Sequence, residues 1–119
     1  MLDAEKLTAL GIDAEEGLAY CADDPAFYGE MLAEYAAEWK DNAEALEQFF
    51  SAGDWTNYRI RAHSLKNTSR MIGALAVSER AHALELWARE NDGAAIQAAH
   101  APFMAEYSAL VKGLQAMIR

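Results

Sequence analysis

At 119 residues the chain is one domain in length, long enough to bury a single modest core and too short for two. Its formal net charge of -9 excludes nucleic acid as the default partner, since a phosphate backbone calls for a basic face. Hydrophobic residues at 53% and charged residues at 24% exclude a disordered chain, and a single cysteine, Cys21, excludes an internal disulfide. Cys21 reads as a small apolar residue on a helix. The start, Met1-Leu2-Asp3-Ala4-Glu5, has neither the basic nor the apolar region of a secretory leader, and no apolar run approaches the length of a membrane span. The expectation is a soluble, cytoplasmic protein without membrane insertion.

Alanine and leucine dominate, which favours helix because these side chains lose little freedom there. Asp3 to about Leu10 reads as a short helix ended by Gly11. Asp13, with Glu16 three residues on, starts a second that runs to about Cys21. Asp24 caps the next helix and Pro25 sits in its first turn, where a missing N–H costs nothing. The stripe Phe27, Met31, Tyr35, Trp39, Leu46 and Phe50 carries this helix unbroken to about Ala52-Gly53, in steps of four with one longer step. Asp54 caps a further long helix, about Trp55 to Ile72, closed by Gly73, with Trp55, Tyr58, Ala62, Leu65, Ser69 and Ile72 inward. Ser78 reads as the cap of another, ending near Glu90, with Val77, Ala81, Leu84 and Ala88 inward. Asn91-Asp92-Gly93 is a turn. The remainder is helical to Ile118, and Pro102 is expected to kink or restart it. Short links between long amphipathic helices predict an all-α, up-down-up-down four-helix bundle, residues 1–119 forming one domain with the short N-terminal helices over one end.

On a helical wheel with Leu65 toward the core, His63 lies about 160° away. Arg59, Lys66, Asn67 and Arg70 share its outer face. Between Trp55 and Ser78 there is no acidic residue, while Arg59, Arg61, Lys66 and Arg70 all occur there. Such a face suits a phosphoryl group or an acidic partner pocket, although the charge pattern alone fits a solvated basic face better. An exposed neutral imidazole can attack phosphorus through Nε2 if Nδ1 keeps the proton, which needs an acceptor. Spacing alone leaves His63, His82 and His100 as candidates.

The stretch Ala62-His63-Ser64-Leu65-Lys66-Asn67-Thr68-Ser69-Arg70-Met71-Ile72-Gly73-Ala74 resembles the signature of histidine-phosphotransfer (HPt) domains. That signature is a histidine, a lysine three residues on, a small residue next, and an Ile-Gly-Ala helix end. Ser78 through Leu86, with Ala83-Leu84-Glu85, is similar to the family's following helix. Gly11 through Leu18 and Phe27 through Leu32 are similar to its N-terminal segments, so the likeness covers nearly the whole chain. The resemblance implies a phosphorelay intermediate in which His63 accepts the phosphoryl group. It further implies that Lys66 helps hold phosphoryl oxygens and that Glu85 orients the imidazole through Nδ1. His82 resembles an auxiliary histidine of chemotaxis-kinase phosphotransfer domains. Asn67 departs from the family, which usually has glycine or another small residue there, and this bears on how closely a receiver docks; its amide could also hydrogen-bond a phosphoryl group. Arg59 and Arg70 are expected to flank the binding face.

The partners implied are response-regulator receiver domains and a sensor or hybrid histidine kinase, with the chain itself a monomer. No Gly-rich phosphate loop with lysine is present, so a phosphocarrier rather than a stand-alone kinase is expected. No cofactor or metal is expected on this chain, the receiver supplying Mg²⁺. Two competing readings are a metal-binding bundle using His63, His82, Glu85 and His100, and a non-catalytic helical adaptor or degenerate HPt domain. The first fits poorly, because di-metal bundles use Glu-x-x-His pairs and this chain has the reverse order once. The intact His63, Lys66 and Glu85 argue against the second.

Overall fold

The computed structural model describes residues 3–118. Met1 and Leu2, part of the segment read as lacking a leader, and Arg119 lie outside these. The described residues form seven helices and no strand: α1 (Ala4–Ala9), α2 (Ala14–Tyr20), α3 (Pro25–Ala37), α4 (Trp39–Ala52), α5 (Trp55–Met71), α6 (Leu75–Arg89) and α7 (Gly93–Ile118). Aspartates start five of them, Asp92 ahead of α7 accepting from the Ala95 N–H at 3.1 Å. Asp3, Asp13, Asp24 and Asp54 each accept hydrogen bonds from first-turn N–H groups, and each such cap contributes on the order of 1 kcal/mol.

The long helix expected from Asp24 to Ala52 is two helices meeting at Glu38. Glu38 N–H still donates to the Glu34 carbonyl and Asn42 N–H to that of Glu38, both at 3.0 Å, so these bonds run through the junction although Glu38 takes ψ -7°. Most of the expected stripe holds: Tyr35 and Leu46 are buried, and Met31, Trp39 and Phe50 pack against the core. Phe27 is exposed and Tyr28 is buried in its place, with its hydroxyl donating to the Ile72 carbonyl at 2.7 Å. Leu32, Tyr35 and Ala36 complete the buried face of α3, and Leu46 anchors α4.

Ser78 is not a cap. The α5–α6 turn is tighter than expected: Gly73 takes φ +87°, and α6 begins at Leu75. Asp13 N–H donates to the Gly73 carbonyl at 2.8 Å, and a Cβ at position 73 would run into the Asp13 carbonyl. Ser78 therefore lies within α6, where its hydroxyl donates to the Lys66 carbonyl at 2.8 Å and ties α6 to α5. Pro102 neither ends nor restarts the last helix but lies inside α7. Ala98 and Pro102 are both exposed, so water can satisfy the Ala98 carbonyl that the proline ring deprives of a partner.

The stripe expected on the helix after Asp54 is buried as read, Tyr58, Ala62, Leu65, Ser69 and Ile72 fully and Trp55 partly. So are Val77, Ala81, Leu84 and Ala88 on α6. The α5–α6 pair is the most extensively packed; α6 also packs on α7, α4 on α5 and α3 on α7. Between them lies one core that includes Tyr28, Leu32, Leu46, Tyr58, Leu65, Leu84, Ile96, Tyr107 and Leu114. Tyr35 and Ser69 satisfy each other within it at 2.8 Å, and among the described residues no buried side-chain nitrogen or oxygen lacks a partner. No described helix is long and apolar enough to cross a membrane.

Candidate functional site

The best-packed pair of helices carries the candidate site. Ala62 and Leu65 face the core, which turns His63 outward, its side chain 52% exposed. Across the groove, Glu85 follows the buried Leu84, and its carboxylate is only 3% exposed. A buried carboxylate must be paired, and four cationic or imidazole side chains meet this one. His63 Nδ1 donates to Oε2 at 2.6 Å, and Lys66 Nζ donates to Oε1 at 2.9 Å. His82 Nδ1 approaches Oε1 at 3.5 Å, and the Arg89 guanidinium stands 3.7 Å from Oε2.

Burial pushes the Glu85 carboxyl up. The hydrogen bonds from Lys66 and His63, with their charges, outweigh that and hold it at about 2, so Glu85 is anionic throughout the neutral range. An anionic acceptor on Nδ1 keeps the proton on that nitrogen and leaves the lone pair on Nε2. Asn67, one turn further along α5, places its amide nitrogen 3.3 Å from Nε2. The tautomer with Nδ1–H toward Glu85 and Nε2 as acceptor satisfies all three side chains. The Nδ1 proton being directed at Glu85, the 3.4 Å approach of Lys66 Nζ to Nδ1 is a contact between neighbours rather than a donation.

The structure thus brings together His63, Lys66, Asn67, His82 and Glu85. Arg70 is drawn aside: its Nε donates to the Tyr20 hydroxyl on α2 at 2.8 Å. Among the described residues no hydrogen bond or ion pair joins Arg59 to His63. Arg61, in the same basic run, turns to α4 and donates to Asn42 Oδ1 at 3.0 Å. His100 is elsewhere. It is buried, bonded through Nδ1 to the Tyr58 hydroxyl and through Nε2 to Glu47, both at 2.9 Å, and stacked on Phe50. Of the four side chains weighed as metal ligands, His100 stands apart from the other three, and the described residues contain no cluster suited to a metal ion.

Two members of the site were not singled out from the sequence. Arg89 stands four residues after Glu85, the spacing of neighbours on a helix, and could have been found from it. Ser78, which joins the two helices at the Lys66 backbone, was assigned to a cap instead.

The Hpt domain family model matches residues 30–118, which include every side chain of this cluster. No curated protein and no solved structure matches the chain. The chain belongs to the Hpt domain family. Membership places it in two-component phosphotransfer signalling, among domains that interact with receiver domains and histidine kinases.

Proposed function

We propose that His63 is the phospho-accepting side chain, taking a phosphoryl group from the aspartyl phosphate of one receiver domain and passing it to the aspartate of another. The observation that carries this reading is the 2.6 Å bond from His63 Nδ1 to a buried, anionic Glu85, on an imidazole that is otherwise half exposed. The Nε2 lone pair forms a bond to phosphorus while the bond from phosphorus to the aspartate oxygen breaks, and the electron pair leaves with the aspartate carboxylate. The ring acquires positive charge, which Glu85 compensates through the Nδ1 proton it already holds, so no proton enters or leaves. The return step reverses these bonds at a second receiver. Such transfer is largely positioning and charge neutralisation. Lys66 supplies a fixed cation one turn from His63. Arg59 and Lys66 put positive charge on the outer face of α5 that suits an acidic receiver pocket, Arg61 and Arg70 being engaged by Asn42 and Tyr20, and His82 is auxiliary through its approach to Glu85.

The receiver carries the Mg²⁺, and this chain needs no cofactor of its own. It acts as a cytoplasmic monomer. Its scaffold is an up-down-up-down bundle of four rods, α3 with α4, α5, α6 and α7, with α1 and α2 over one end.

The test is incubation with a phosphorylated receiver and Mg²⁺. The expected product is an acid-labile, alkali-stable phosphoprotein, with no labelling of a folded His63→Gln variant and retained labelling of His82→Gln. Label persisting in His63→Gln rejects the assignment.

A further inference from the structure

The side chain that hydrogen-bonds the proposed nucleophilic nitrogen is neither Lys66 nor Glu85. Lys66 is committed to Glu85, and Glu85 lies on the Nδ1 side of the ring. Among the described residues the donor within hydrogen-bond distance of Nε2 is the Asn67 amide, at 3.3 Å. Both side chains are exposed and sit one turn apart on a rigid helix, so Asn67 borders the space into which a group on Nε2 would project.

We propose that Asn67 is a positioning residue that serves the two states of His63 in turn. In the unphosphorylated state its N–H donates to the Nε2 lone pair. Together with Glu85 on the opposite nitrogen, it fixes both the tautomer and the plane of the ring. Attack on phosphorus requires that lone pair, so the amide must give it up as the nitrogen–phosphorus bond forms. A phosphoryl oxygen is then the nearest acceptor, and the same N–H turns to it. The amide thus restrains the free nucleophile and stabilises the phosphorylated one, shifting the transfer equilibrium toward phosphohistidine. An amide can do this where a carboxylate cannot, because a phosphoryl group presents only acceptors.

This inference rests on His63 being the acceptor, and the experiment separates the two claims. Imidazole nitrogen resonances of isotope-labelled protein are recorded for the parent chain, Asn67→Ala and Asn67→Ser. Phosphoryl transfer equilibria with a phosphorylated receiver are measured on the same proteins and on Asn67→Asp. In Asn67→Ala the Nε2 resonance should move to that of an acceptor without its donor, and the equilibrium should fall back toward the receiver by roughly fivefold, the difference between a hydrogen bond to a charged group and the neutral one it replaces. Asn67→Ser, which restores a short donor, should recover part of both, and Asn67→Asp should lose more than Asn67→Ala. A scaffolding role alone would move neither the Nε2 signal nor the equilibrium. If the parent chain takes label at His63 and Asn67→Ala leaves both readouts unchanged, the assignment of Asn67 is overturned while the function stands. If the parent chain takes no label, the function is overturned and this assignment with it.

Discussion

Substituting Lys66 by methionine probes the site at its energetic centre. From its place on the outer face this lysine would be worth no more than about half a kcal/mol to stability. The structure changes that expectation, because Lys66 is only 22% exposed and its ammonium is bonded to a carboxylate that is 3% exposed. A fall of the Glu85 carboxyl from 4.5 to about 2 corresponds to roughly 3 kcal/mol of stabilisation of its anion, shared between Lys66 and His63. Lys66→Met keeps the apolar stem and deletes the charge, so it should cost about 1–2 kcal/mol at neutral pH. The loss should be confined to the interaction: in a Glu85→Gln background the same substitution should cost about half a kcal/mol or less. Urea unfolding of the four proteins of this cycle gives the coupling directly, with about 1 kcal/mol expected. Equal costs of Lys66→Met in the two backgrounds would show that the 2.9 Å contact contributes nothing and that the depressed Glu85 carboxyl has another source.

The same pair sets an acid response: because the folded carboxyl titrates below its ordinary value, its stabilisation is complete above about 4.5 and disappears as pH falls through about 2. Glu85→Gln should flatten that part of the stability profile, measured by chemical denaturation at stepped pH. Glu85→Gln keeps an acceptor for Nδ1 and should retain much of the rate of phosphoryl uptake, whereas Glu85→Ala should slow it about tenfold or more; equal rates in the two variants would remove the orienting role. His100→Ala should lower stability by about 2 kcal/mol by stranding the buried Tyr58 hydroxyl, with uptake at His63 by the folded protein unchanged. Gly73→Ala should destabilise by more than about 2 kcal/mol, since it combines a left-handed backbone with a clash at the Asp13 carbonyl, and thermal unfolding would show it.

The residues that were legible in the sequence are those whose role is set by helical periodicity. Leu65 and Ala62 inward place His63 outward, and Leu84 inward places Glu85 at the edge of the same face. The caps Asp13, Asp24 and Asp54 were legible too, because one side chain and one turn suffice to make them. The errors arose where distant parts of the chain decide. Tyr28 displaced Phe27 because its hydroxyl finds a carbonyl forty-four residues away, which no local pattern encodes. Ser78 has the chemistry of a cap, yet the Gly73 turn starts the helix earlier and hands its hydroxyl to Lys66. The basic run did not act as a unit either. Arg61 found Asn42, Arg70 found Tyr20, and only Lys66 turned to Glu85.

The contact of Asp13 with Gly73 bears on where this domain may be cut. The match to the family model begins at residue 30, whereas the bend joining the two site-bearing helices is clasped from before it. Besides the Asp13–Gly73 bond, Gly17 packs without a side chain against Tyr28 and the Ile72 carbonyl, and Tyr20 accepts from Arg70. A fragment trimmed to the matching segment would retain His63, Lys66, Asn67, His82 and Glu85 and yet leave the far end of their hairpin uncovered. The length of chain that the family match spans and the length that encloses the bend between α5 and α6 are not the same, and α1, α2 and the start of α3 with Tyr28 are the difference.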